Sequence, residues 1–261
     1  MWKEQKSEII CSDVQDVHLQ KRSYMKLIIE ETTEKMSESA LQIVLGEMMQ
    51  DKRVNVSLTS GRSPEKMYEM MVPLIKGKEK YKDVQYWLFD ENPYDGDEYG
   101  PNWYDMQRMI FEPSGIEVER VHHLTRENYT AYDEEIRQAG GIDVMVIGLG
   151  WDGHFCGNCP RCTPFDSLTY RILYKEKQKL NPTYADRPTQ PYTYTMGPQS
   201  LMRVRRLVMI VNGSEKAEIL KRFVEEPINQ DVPATILKLH PNLTVIADRD
   251  AAALLDPSCY Q

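Results

Sequence analysis

The stretch DVMVIGLGWDGHFCGNCP, Asp143 to Pro160, decides the fold. Val144 to Ile147 form an uninterrupted apolar run, short and bounded by glycine, which reads as a strand buried on both faces. Gly148, Gly150 and Gly153 then turn the chain, and the turn carries Asp152, His154 and Cys156. A buried strand that runs into a glycine-rich, chemically loaded loop is what an open α/β sheet presents at the carboxyl ends of its strands.

The same cycle repeats in both directions. MKLIIEE (Met25 to Glu31) reads as a strand, and Met36, Ala40, Leu41, Val44, Leu45 and Met48 then recur with the helical period. VNVSL is a strand, TSGRSP a loop, and EKMYEMMVPLI a helix weakened near Pro73 and Gly77. VQYWLF, the polar loop DENPYDGDEYGPN and a helix from Trp103 to Ile110 form the next unit. After DVMVIGLG come RLVMIVNG, the helix SEKAEILKRFVEE, the short PATILKL, and LTVIADRDAAALL. Short apolar strands alternating with helices imply an α/β fold, an open, mostly parallel sheet with helices on both faces. Such a sheet holds ligands beyond the carboxyl ends of its strands, so the loops after VNVSL, VQYWLF and DVMVI are expected to build a single pocket.

Composition narrows the class. With 261 residues and a formal charge of -8, the chain can bury a substantial core but offers no broad nucleic-acid surface. No apolar run reaches bilayer length, and the start MWKEQKSEIICSDVQDVHLQ lacks the apolar centre of a signal peptide. A cytoplasmic protein with neither nucleic-acid nor membrane partner is therefore expected. The five cysteines are too unevenly placed for a disulfide framework. Residues 1–24 read as an N-terminal extension to one domain, 25–261. Residues 157–199, rich in Pro, Thr and Tyr, have poor periodicity, and a lid is one reading of them.

Four stretches carry candidate chemistry. In TSGRSP, Ser63 is placed to cap the following helix with Pro64 in its first turn, and the N–H groups there favour an anion, helped by Thr59, Ser60, Gly61 and Arg62. A plain capped turn is the alternative. In FDEN, strand alternation allows only one of Asp90 and Glu91 to face a pocket. Asp152 and His154, two residues apart, suit a carboxylate that orients an imidazole, whose ordinary pKa of about 6.5 permits proton exchange near neutrality. A structural histidine is the alternative. GLGWDG matches GxGxxG, but a close-approach turn explains it better than a dinucleotide loop, since no clean helix follows. Cys156, Cys159 and Cys162 have C-x2-C-x2-C spacing; free thiols are the first reading and a zinc site with His154 the alternative, so no metal is expected.

Together these residues resemble the glucosamine-6-phosphate deaminase and 6-phosphogluconolactonase superfamily, on its glucosamine/galactosamine-6-phosphate isomerase branch. The matching pieces are TSGRSP, FDEN, PNWYDMQR, GLGWDGH, YTMGPQSLMRVRRLVMIVNGSEKA and LKLHPNLTVIAD, in order over residues 25 to 255. The resemblance implies a modified Rossmann-like sheet, a small phosphorylated sugar as partner, no cofactor, and a homo-oligomer as one possible assembly. It implies catalytic roles for Asp90, Asp152 and His154, with Asp90 shuttling a proton between C1 and C2 and the other two managing ring opening. Thr59, Ser60, Gly61, Arg62, Ser63, Gly150, Arg187 and Lys216 are then the expected substrate-binding residues. Deaminases of the superfamily continue the histidine loop to Asn-Glu-Pro, where this chain has Asn158, Cys159 and Pro160; lactonases carry Asp-Glu-Arg where it has Asp90, Glu91 and Asn92. An aldose–ketose isomerase or amino-sugar-6-phosphate deaminase is the favoured expectation. A lactonase with His154 as general base and an inactive sugar-phosphate sensor are the alternatives.

Overall fold

The computed structural model describes residues 25–173 and 189–256. The expected extension 1–24, Arg187, and part of the 157–199 stretch lie outside those residues. In chain order the strands are β1 (Lys26–Glu30), β2 (Asn55–Ser57), β3 (Gln85–Trp87), β4 (Asp90–Glu91), β5 (Val121–His122), β6 (Val144–Gly148), β7 (Tyr170–Leu173), β8 (Tyr192–Thr195), β9 (Arg206–Val211) and β10 (Leu243–Asp248). Seven of them form the main sheet, in the order β1-β10-β9-β6-β2-β3-β5, and every neighbouring pair runs parallel.

Alternating residues along the central strands explain why these runs are continuously apolar. Val144 and Val146 of β6, with Val208 and Ile210 of β9, face one core layer. Met145 and Ile147, with Leu207, Met209 and Val211, face the other. Because strand side chains alternate between faces and both faces are covered, neither set is free to be polar. Helices α1 (Thr33–Met48) and α2 (Glu65–Ile75) cover the first face through Met36, Ala40, Val44, Met67 and Met71. The helix Ala217–Glu225 covers the second through Ile219, Leu220 and Phe223.

The order of the strands places the site. From β2 the chain moves outward to β3 and β5, whereas from β6 it moves the opposite way to β9 and β10. The adjacent strands β2 and β6 are thus a topological switch point, where the loops that follow them diverge and leave a crevice.

Two findings differ from the sequence reading. The helix expected from Trp103 is instead α3 (Pro101–Met106), continued by a π-helical turn over Gln107–Phe111. A second sheet, β4-β8-β7, is antiparallel and uses YTYT from the stretch without periodicity. Thr193, Tyr194 and Thr195 are all buried, so this strand has no apolar–polar alternation to read. No helix among the described residues is long and apolar enough to cross a membrane.

Leu220 is fully buried beneath the second face, whereas Leu254 is half-exposed. Leu220→Ala should cost about 2–5 kcal/mol in urea unfolding. Leu254→Ala should stay within about 0.5 kcal/mol.

Candidate active site

A cleft of about 300 Å³ opens at the switch point, lined by Thr59 to Ser63 after β2, Phe89 and Asp90 after β3, Asn102 and Asp105 of α3, Gly148 to Trp151 with His154 and Cys156 after β6, and Lys216 after β9. The three expected loops meet in one place, joined by a fourth. Of the expected site residues, Thr59, Ser60, Gly61, Arg62, Ser63, Asp90, Gly150, His154 and Lys216 line the cleft, and Asp152 stands behind His154.

The β2 loop turns through Gly61 at φ 88°, a left-handed conformation that side chains resist. Ser63 does not cap the helix. Helix α2 starts only at Glu65, with Pro64 in a helical conformation at the cap position and no side-chain cap bond, so the turn begins one residue later than the sequence suggests. Tyr68 fastens the loop from below, its hydroxyl donating to the Thr59 carbonyl at 2.6 Å.

Asp90 and Glu91 divide as strand alternation requires. Asp90 faces the cleft. Glu91 is turned into the protein, where its carboxylate accepts from the backbone N–H groups of Asn92 (2.8 Å), Asn102 (3.3 Å) and Trp103 (2.8 Å). Burial pushes its carboxyl up to about 7, with the backbone donors at the start of α3 opposing the rise.

The β6 loop is a tight turn, closed by Gly150 N–H donating to the His154 carbonyl (2.8 Å) and Gly153 N–H to the Gly150 carbonyl (3.0 Å). A single oxygen of Asp152 contacts Nδ1 of His154 at 2.5 Å and accepts from its backbone N–H at 3.1 Å. Burial raises the Asp152 carboxyl, but its bonds and charge interaction with His154 outweigh that and hold it below the usual range. With Nδ1 donating to the carboxylate, a neutral His154 keeps its lone pair at Nε2. Gly150 is required by close approach: a Cβ there would overlap the imidazole ring.

The small sheet braces both chemical groups. Asp90 pairs in register with Thr195, whose hydroxyl accepts from Gly157 N–H at 2.9 Å. Asn158, fully buried, donates to the Met196 carbonyl at 2.8 Å and accepts from the Tyr170 hydroxyl at 3.1 Å. Cys159 is buried with its thiol donating to the Gly157 carbonyl at 3.3 Å, Cys156 lies on the cleft wall, and Cys162 is exposed. No group of three His, Cys, Asp or Glu side chains among the described residues is arranged to hold a metal ion.

Lys216 reaches back to donate to the Leu149 carbonyl at 2.8 Å. Burial lowers its ammonium pKa and nearby Arg62 adds to the effect, with Glu215 and Asp152 opposing. Asn102, Asp105 and Trp151 are cleft residues that the reading of single motifs missed, and Cys156, read as one of three free thiols, joins them there. The signal for the first two was present in PNWYDMQR, where i, i+3 spacing puts Asn102 and Asp105 on one helix face.

Fold and cleft together define an α/β protein with a glycine turn after β2, a cleft-facing carboxylate and a carboxylate-held imidazole at a sheet switch point. The family described as glucosamine-6-phosphate isomerases/6-phosphogluconolactonase matches residues 29–246. The chain belongs to that family. It is 31% identical over 245 residues to a glucosamine-6-phosphate deaminase of Shouchella clausii, covering 88% of this chain and 97% of the relative. It is 33% identical over 252 residues to one of Oceanobacillus iheyensis, covering 90% and 98%. The solved structure of a monomeric glucosamine-6-phosphate deaminase superposes with a TM-score of 0.76 at 24% identity, covering 88% of this chain and all of that one, a likeness of fold. Membership supports enzymatic activity in carbohydrate metabolism.

Gly150→Ala should push the imidazole out of place and lower turnover by about 100-fold with the fold intact. An imidazole NMR signal shifted from wild type, alongside an unchanged circular dichroism spectrum, checks this; unchanged turnover would remove the close-approach argument.

Proposed function

We propose that this protein is an aldose–ketose isomerase or deaminase of an amino-sugar 6-phosphate, working by ring opening and an enediol. The observation that carries this reading is the meeting of Asp90 with the Asp152–His154 pair in the cleft that also holds the β2 loop and Lys216. The deaminase relatives support the substrate class.

In this reading Thr59 to Ser63 and Lys216 grip the phosphate. Backbone N–H groups before α2 and the lysine charge favour a dianion, and a fixed remote end lowers the entropic cost of placing C1 and C2. Protonated His154 donates to the ring oxygen as the C1–O5 bond breaks, and Asp152 steadies the imidazolium. The O1 hydroxyl gives up its proton to water as the aldehyde forms; Asp90 then removes the C2 proton while O1 regains one, giving the enediol or enolamine, and Asp90 returns its proton at C1 as the C2 oxygen or nitrogen loses one. Where C2 bears nitrogen, the product is a C2 imine, and water releases ammonia as the ketose forms. Arg187, the further phosphate contact expected from the sequence, lies outside the described residues.

Glucosamine 6-phosphate incubated in deuterated buffer should take up deuterium at C1 or C2, with or without ammonia. Asp90→Asn should lose this exchange by at least about 100-fold and still bind inorganic phosphate. Lactone opening of 6-phosphogluconolactone without any exchange would instead identify a lactonase. The lowered Lys216 pKa gives a separate test with a defined sign. A lysine is charged only below its pKa, so inorganic-phosphate affinity should fall at a lower alkaline pH than for an ordinary lysine, and Lys216→Arg should keep the affinity to higher pH.

A further inference from the structure

Asn102 occupies a position that the reading above leaves unexplained. It sits in the first turn of α3, and its side chain spans the space between the β2 loop and Asp90. The Nδ2 group donates to Asp90 Oδ1 at 2.9 Å and to the Asp90 carbonyl at 3.1 Å. Its Oδ1 accepts from the Ser60 hydroxyl at 2.8 Å. The amide orientation follows from this network, since a flip would set its oxygen against two acceptors on Asp90. The main chain of Asn102 is held separately, by Glu91.

We infer that Asn102 is a positioning residue: its amide holds the Asp90 carboxylate for proton transfer and ties it to Ser60 of the phosphate loop. This rests on Asp90 being the base. Two donor contacts from one rigid amide, one to the carboxylate and one to the main chain of the same residue, fix how the carboxylate is turned. The Ser60 contact adds a link. A serine hydroxyl has one proton, so Ser60 donates either to Asn102 or to a phosphate, and occupancy of the loop bears on the amide that holds Asp90.

A donor to the charged form of Asp90 also favours ionisation. Among the described residues the other titratable or charged groups lining the cleft are Arg62, Asp105, His154, Cys156 and Lys216, with Asp152 behind His154 and Glu91 adjacent on the same strand. Asn102→Ala leaves all of them in place and adds no charge, so a change in its pH profile reports on the amide itself.

The test compares wild type, Asn102→Asp, Asn102→Ala and Asp90→Asn with glucosamine 6-phosphate in deuterated buffer. Asn102→Ala removes the amide and adds no charge, whereas Asn102→Asp also sets a second carboxylate against Asp90, which hinders its ionisation whatever the amide does. The alanine variant therefore decides. It should exchange about 10-fold more slowly, with KM changed less than about threefold, and the acidic limb of its rate profile should move up. Asn102→Asp should be slower still. Wild-type exchange and an unmoved acidic limb in Asn102→Ala would overturn the positioning role while Asp90→Asn stays silent and the base stands. Full exchange in Asp90→Asn would overturn the base and this inference with it.

Discussion

The buried Asp143 carboxylate holds the strand register on which the cleft depends. It accepts from the backbone N–H of Asn55 at 2.9 Å and pairs with Lys52 at 2.6 Å and Arg205 at 2.9 Å, so one side chain gathers the starts of β2, β6 and β9. A carboxylate taken out of water persists only when charged donors and hydrogen bonds replace its hydration, and removing one partner of such a buried group typically costs about 3–5 kcal/mol. From this clasp Val56 aligns with Val144, and Ser57 with Met145. A slip of one residue would exchange the two apolar faces of β6, each already filled by its own core layer. The register at one end of the strands thereby fixes which loop residues meet at the other.

A parallel sheet brings the loops that carry Asp90 and His154 to one edge but does not join them to each other. The small antiparallel sheet supplies the missing link. Strand β8 pairs with Asp90 through its backbone, and Thr195 and Met196 receive the loop just after His154 through Gly157 and Asn158. Asp90 and the imidazole are thus both referred to a single strand. An Asp90 that faces the cleft also requires Glu91 to point into the protein, and the chain stabilises that second buried carboxylate with the N–H groups at the start of α3. The same capping contact sets Asn102 against Asp90.

Much of this was legible from residue order. Continuous apolar runs such as DVMVI identified the central strands because burial on both faces removes polar residues from them. The loops after β2, β3 and β6 were found because a parallel sheet directs its strand ends to one edge. Gly150 was harder to interpret: the pattern showed a glycine, but only the overlap with His154 shows why a side chain is excluded there. The small sheet was illegible for a definite reason. YTYT is buried at three successive residues, and β4 is two residues long, so neither has a period to detect. Helix Tyr132–Gln138 offers only Tyr132 and Ile136 to the core, and two apolar residues four apart fall short of a helical pattern. The start of α2 shows a further limit, since Ser63 has the right chemistry for a cap and the backbone begins its helix beyond it.

The histidine loop is where this chain departs from the deaminases it resembles, and its geometry shows what the departure changes. The resemblance leads one to expect a glutamate where Cys159 stands, and the Cys159 thiol donates to the Gly157 carbonyl. A thiol in that role supplies no fixed negative charge. The contact holding the imidazole is the 2.5 Å pair with Asp152, reinforced by the bond from the His154 amide to the same carboxylate oxygen. One carboxylate that binds both ring and main chain of the same residue fixes the tautomer and the ring direction together. The fixed charge beside the ring is that of Asp152, which His154 in turn holds ionised against the cost of burial.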